Sequence, residues 1–145
     1  MTVLLLIAIF IGALLPVQTG INAQLRTLLG HPITTALVSF GVGAIGLLVA
    51  VLSLGIPVPL AAAWSQTSWW QWTGGLLGAI YIAGAVVLAP RLGAGTLIAA
   101  VVGGQMLASL VLDHFGLVGF PEHPISGARL LGAALVILGV ALIQR

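Results

Sequence analysis

The chain has 145 residues, 61% of them hydrophobic and 4% charged, with a mean hydropathy of +1.29. A soluble domain carries about 25% charged residues, so this composition excludes a soluble globule and implies an integral membrane protein. The net charge of +2 comes from four arginines against two acids with no basic cluster, which leaves no electrostatic footprint for nucleic acid, and the lack of cysteine excludes disulfides, thiolate metal sites and thiol catalysis.

A spanning helix needs about 20 mostly apolar residues. Five segments meet this, near Val3–Leu25, Thr34–Leu54, Trp70–Ala89, Ala94–Phe115 and Gly127–Ile143. The breaks are expected at Gly30-His31-Pro32, Pro57-Val58-Pro59, Pro90-Arg91-Leu92-Gly93 and Pro121-Glu122-His123-Pro124, where helix-breaking residues gather. The expected fold is therefore all-α, a single five-helix transmembrane domain over residues 1–145, with no room for a separate soluble domain. Met1-Thr2-Val3 offers no basic n-region, so the first segment is expected to be retained as a helix rather than cleaved as a signal peptide.

Within the first segment, Pro16 lacks a backbone donor and crowds the carbonyl of Gly12, which predicts a kink. Gln18, Asn22 and Arg26 follow at i, i+4, i+8 and form one polar stripe on a helix. Such a stripe is unnecessary in a simple anchor and points to a lined cavity. The alternative is plain interhelical hydrogen bonding, worth about 1 kcal/mol per bond.

Trp64, Trp69, Trp70 and Trp72 cluster at one end of the third helix, on its expected outer side, and read as an interfacial aromatic belt; an aromatic gate or cation-binding wall is the alternative. Glycines inside the segments imply close helix packing, with Gly74–Gly78 and Gly132–Gly139 the expected contact faces. Gly93-Ala94-Gly95 reads as a tight interhelical turn.

The fourth segment, which remains apolar as far as Phe120, carries a second stripe, Gln105, Ser109 and Asp113, with an acid where the first stripe has a base. Asp113 lies about 12 Å along a helix from Gln105, nearer a membrane face than the centre. It reads either as a structural ion-pair partner or as a substrate or proton site. The two helices run in opposite directions, so Arg26 of an inverted copy would reach the depth of Asp113. His114 is a solvated interfacial residue or a titrating one, and His31 and His123 receive no role. Arg26, Arg91 and Arg145 fall on the C-terminal side and Arg129, with Glu122 near it, on the other. This weak bias favours a cytoplasmic C-terminus and permits insertion both ways. No phosphate loop, zinc spacing, catalytic triad or carboxylate pair is present, so neither an enzyme, a cofactor nor a metal is expected.

The runs Pro16–Arg26 (PVQTGINAQLR), Ser39–Gly43 (SFGVG), Gly74–Tyr81 (GGLLGAIY), Pro90–Gly93 (PRLG), Gly104–Gly116 (GQMLASLVLDHFG) and Arg129–Gly132 (RLLG) resemble the YdcZ-like branch of the drug/metabolite transporter superfamily. The last segment is similar to the terminal helix of the small multidrug resistance proteins, through Gly132, Leu135, Val136, Gly139 and Val140. The resemblance implies one repeat of an inverted-repeat fold in the bacterial inner membrane, completed as an antiparallel homodimer with dual topology and surrounded by lipid. It implies a transporter that moves a small molecule by alternating access. Gln18, Asn22, Gln105 and Ser109 would line the central site, Arg26, Arg91 and Asp113 would act as charge partners or gates, and Gly132 and Gly139 would pack the dimer. Small multidrug resistance proteins couple to protons through a glutamate on their first helix; here Gln18 is the central polar residue of that helix. That departure favours a neutral polar or zwitterionic metabolite, or an organic anion using Arg26 or Arg91. A dimeric channel and a non-transporting subunit of another membrane protein are the competing readings.

Overall fold

The computed structural model describes residues 2–143. Met1, Gln144 and Arg145 lie outside the described residues, and with Arg145 goes one of the three arginines in the charge bias. The described chain is all helical, in the order α1 (Thr2–Leu29), α2 (Pro32–Ser53), α3 (Leu60–Gln66), a 3-10 turn (Trp69–Thr73), α4 (Gly74–Leu92), α5 (Ala94–His114), a 3-10 turn (Leu117–Gly119) and α6 (Gly127–Ile143).

Among the described residues, four stretches are long and apolar enough to cross a membrane: Thr2–Leu29, Pro32–Ser53, Trp69–Leu92 and Ala94–His114. The apolar α6 has 17 residues and rises only about 26 Å at 1.5 Å per residue, against a hydrocarbon core of about 30 Å. Apolar side chains cover the outside: Leu4, Ile9, Phe10, Leu47 and Leu142 are all more than half exposed. Water penalises such a surface and lipid does not. With lipid outside, helices are held together by close packing of small residues and by hydrogen bonds rather than by expulsion of water.

The contacts divide the chain into two compact units, one ending at Pro90 and one starting at Arg91. In the first unit α1 packs along α2. The core joins Ala36 of α2 to Ile82 and Val86 of α4, with Tyr81 and Ala83 packed against it. Gly78 makes the closest approach, since a Cβ there would lie 2.9 Å from the Phe40 ring. The entry to α2 is defined by His31, whose Nδ1 accepts from the Ile33 N–H at 3.2 Å, followed by Pro32 at the first helical position. His31, given no role from sequence, is therefore a helix cap.

Two sequence expectations are corrected here. The third spanning segment does not end before Pro90: α4 continues through it to Leu92 and stops at Gly93, whose φ of +77° is the left-handed conformation glycine tolerates. Proline in a last turn costs one hydrogen bond and leaves the helix standing. The tryptophans are also not one helix end. Trp64 sits on the separate short α3, while Trp69, Trp70 and Trp72 form the 3-10 turn. Trp72 donates its indole N–H to Thr67 Oγ1 at 2.9 Å and its ring lies 5.3 Å from that of Trp64. Ser68 and Gln71 close the turn reciprocally as a capping box.

In the second unit α5 packs along α6. The glycines that meet the opposing helix are Gly103, with Val140 at 3.5 Å from a Cβ placed there, and Gly95, with Ile143 at 3.8 Å. Gly132 and Gly139 meet nothing within 4 Å among the described residues, and the same holds for Gly74 and Gly75. The helix does not run on to Phe120. It ends at His114, and the chain turns through Gly116, at φ +58°, and Val118, at φ +57°.

Candidate polar sites in the two units

Each polar stripe belongs to one unit. On α1, Thr19 and Asn22 are buried, at 6% and 5% exposure, Arg26 is half-buried and Gln18 is exposed. The Thr19 hydroxyl donates back to the Leu15 carbonyl at 2.8 Å. Such back-bonding bends helices, and here it sits one turn from Pro16. Gly12 has open space around it.

Gln18 opens onto a cavity of about 280 Å³ lined also by Ser39, Phe40, Gly43, Ala44, Leu47 and Ile82. Three helices contribute to it. Gln18 lies about 12 Å along α1 from Arg26 and Ser39 about 10 Å from the start of α2, at 1.5 Å per residue, so both polar groups sit at similar depth. Ser39 was not among the expected site residues, although it opens one of the resemblance motifs. Its signal in sequence is faint, one hydroxyl in the apolar middle of α2. A second cavity of about 480 Å³, lined by Ile33, Ala36, Leu37, Phe40, Ala79, Ile80 and Ala83, is wholly apolar and offers no directional chemistry.

Arg26 Nη1 donates to the main-chain oxygen of Val86 at 3.2 Å. In a regular helix that oxygen would accept from the N–H of residue 90, and residue 90 is proline, which has none. The guanidinium thus satisfies a carbonyl that the α4 sequence leaves unpaired, and ties the end of α1 to α4. Arg91, one residue later, is exposed in the last turn of α4, where a cation suits the helix dipole. Tyr81 of α4 was also missed: its hydroxyl is buried with no hydrogen-bond partner among the described residues. It is the chain's one tyrosine, set among apolar neighbours, and that is the signal that could have found it.

On α5, Gln105 is exposed, and the half-buried Ser109 donates to the Met106 carbonyl at 2.9 Å. The Asp113 carboxylate is held by Arg129 of α6, in a pair about a quarter to a third exposed. Arg129 also donates to the His123 carbonyl at 2.7 Å, and the His123 N–H donates to the Asp113 carbonyl at 2.7 Å. His114 Nδ1 accepts from the Ile125 N–H at 3.2 Å. These bonds bind the proline-bracketed loop onto the end of α5. The intrachain partner of Asp113 was not foreseen, and Arg26 of an inverted copy would have to compete with Arg129 for the carboxylate. No group of three or more histidines, cysteines, aspartates or glutamates that could hold a metal occurs among the described residues.

Residues 3–142 match the family model DMT_YdcZ, described as "Putative inner membrane exporter, YdcZ". The chain belongs to this YdcZ family. It is 33% identical over 81 residues to the inner membrane protein YdcZ of Escherichia coli (strain K12), an alignment covering 56% of this chain and 54% of that protein. The chain thus matches about half the length of that curated relative. No solved structure matches. Family and apolar helices together make it a multi-pass protein of the bacterial inner membrane. YdcZ membership supports a membrane-transport role.

Proposed function

We propose that the chain is a secondary transporter that moves a small polar metabolite by alternating access, as an antiparallel homodimer of five-span repeats of the drug/metabolite transporter fold. The observation that carries this reading is the cavity of about 280 Å³ in which Gln18 and Ser39 face common space at one depth. A carrier in lipid needs uncharged donors and acceptors around a space of metabolite size, and apolar walls that make the polar contacts selective. Asn22, buried one turn along α1 from Gln18, is a further proposed substrate contact. Gln105 and Ser109 are proposed substrate contacts on α5, Arg26, Arg91 and Asp113 charge partners or gates, and Gly12 and Pro16 the bend in α1. Inverting one copy of an odd-span chain produces the two-fold repeat that secondary transporters use, and Gly132 and Gly139, which meet nothing within 4 Å among the described residues, suit close packing against a partner helix.

Two experiments test it. The chain lacks cysteine, so single cysteines at Thr2 and Gln144 can be labelled from outside intact cells with an impermeant reagent. Comparable labelling at both supports the antiparallel homodimer, and labelling at one end only sinks it. Counterflow of labelled amino acids, dicarboxylates and polyols in proteoliposomes tests transport. A saturable probe that loses uptake in Gln18→Ala and Ser39→Ala supports the cavity, whereas turnover without trans-stimulation identifies a channel.

A further inference from the structure

Arg26 is the one side chain among the Asp, Glu, Lys and Arg of residues 1–90; both acids of the chain, Asp113 and Glu122, come later. The first unit therefore holds a cation with no countercharge of its own. That cation is half-buried on a spanning helix, at the end of the stripe that starts with Gln18. Its hydrogen bond among the described residues goes to a neutral acceptor, the Val86 carbonyl, through Nη1 alone. A guanidinium presents five N–H donors in a planar fork, matched to the two oxygens of a carboxylate. Arg26 stands in the last turn of α1, toward a membrane face, and one carbonyl leaves most of its fork unused.

We propose that Arg26 is an anion-reading residue, and that the transported solute bears a carboxylate which the guanidinium fork binds while uncharged parts of the solute meet Asn22 and the Gln18–Ser39 cavity. This rests on the transport reading above. The Val86 carbonyl is the resting partner of Arg26: it keeps the guanidinium at the end of the stripe, and a charged acceptor outcompetes it because ion-assisted hydrogen bonds are about twice as strong as neutral ones. Pro90 makes the resting partner available by withholding its own N–H. Arg91 has no such arrangement, being exposed at the helix end.

The test is titration of the full chain, purified in a neutral detergent, with benzoate and succinate and with their uncharged counterparts benzamide and succinamide. Carboxylates are expected to bind at least tenfold more tightly than the amides. Arg26→Lys, which keeps the charge but loses the fork, weakens carboxylate binding by roughly tenfold, and Arg26→Gln abolishes the preference. Arg26→Lys keeps the question decidable if Arg26→Gln does not fold. Equal affinity for acids and amides overturns the inference, and so does a preference that survives both Arg26 variants. A bound phosphatidylglycerol, seen by native mass spectrometry, lost in Arg26→Gln and not displaced by benzoate or succinate, also overturns it and assigns the guanidinium to a lipid phosphate. If carboxylates bind through Arg26 but proteoliposomes show no counterflow of any probe, the anion site stands and the transport reading falls; counterflow of neutral probes without an acid preference has the opposite meaning.

Discussion

Arg26 and Pro90, 64 positions apart in sequence, are coupled through a single oxygen, the Val86 carbonyl that proline leaves free and the guanidinium occupies. A proline in a helix strands an acceptor, and an arginine on a spanning helix needs one. Each resolves the other's penalty.

The coupling is measurable as a double-mutant cycle. With Pro90 present, Arg26→Gln leaves the Val86 oxygen without its donor and is expected to cost about 1.5–3 kcal/mol, the range for hydrogen bonds to charged groups. In a Pro90→Ala background the new N–H satisfies that oxygen, and the same substitution costs less, by roughly 1 kcal/mol. Unfolding of the four variants in mixed micelles gives the interaction energy; strict additivity would mean the two residues are independent.

Glycine positions separate packing inside the chain from packing between chains. Gly78→Ala places a methyl 2.9 Å from the Phe40 ring, and the ring must move. The expected cost is about 1 kcal/mol, relieved by Phe40→Leu. Gly132 and Gly139 have open space among the described residues, so Gly132→Leu and Gly139→Leu should leave the fold's thermal stability nearly unchanged. Crosslinking in membranes should then report loss of the dimer. A monomer fold that melts early in these variants would remove both glycines from the proposed interface.

At the loop end of the second unit, Arg129 carries more than its ion pair. Asp113→Asn removes one charged partner, and for a pair partly open to its surroundings that is worth about 0.5–1 kcal/mol. Arg129→Gln breaks the contact to Asp113 and the bond to the His123 carbonyl together. Hydrogen exchange at the His123 amide, which is bonded to the Asp113 carbonyl, should accelerate several-fold more in Arg129→Gln than in Asp113→Asn. Equal acceleration would mean that the ion pair alone holds the loop.

These pairings mark what could and could not be read from the sequence. The stripe Gln18, Asn22 and Arg26 was legible because a helix repeats every 3.6 residues, and the long apolar helices because lipid demands unbroken apolar runs. The partners were not. Asp113 finds Arg129 across a glycine-rich turn and a proline-bracketed loop, which no periodicity spans. Pro90 reads as a break in sequence, whereas in a last turn it only withholds one hydrogen bond, and what receives the freed oxygen depends on how α1 lies beside α4. Ser39 joins Gln18 only through the packing of α2.

Tyr81 provides a prediction in which stability and function move in opposite directions. Its hydroxyl is buried and unpartnered among the described residues, and an unsatisfied buried polar group costs about 1–3 kcal/mol. Tyr81→Phe keeps the ring that packs against Ala36, Ile82 and Val86 and discards the penalty. The variant should therefore be as stable as the parent or more so, by about 1 kcal/mol. A tyrosine held at such a cost is explained if its hydroxyl meets the solute during the transport cycle, and then Tyr81→Phe should lower uptake of a working probe while raising thermal stability. Uptake and stability both unchanged would indicate that water reaches the hydroxyl and that Tyr81 has no part in recognition.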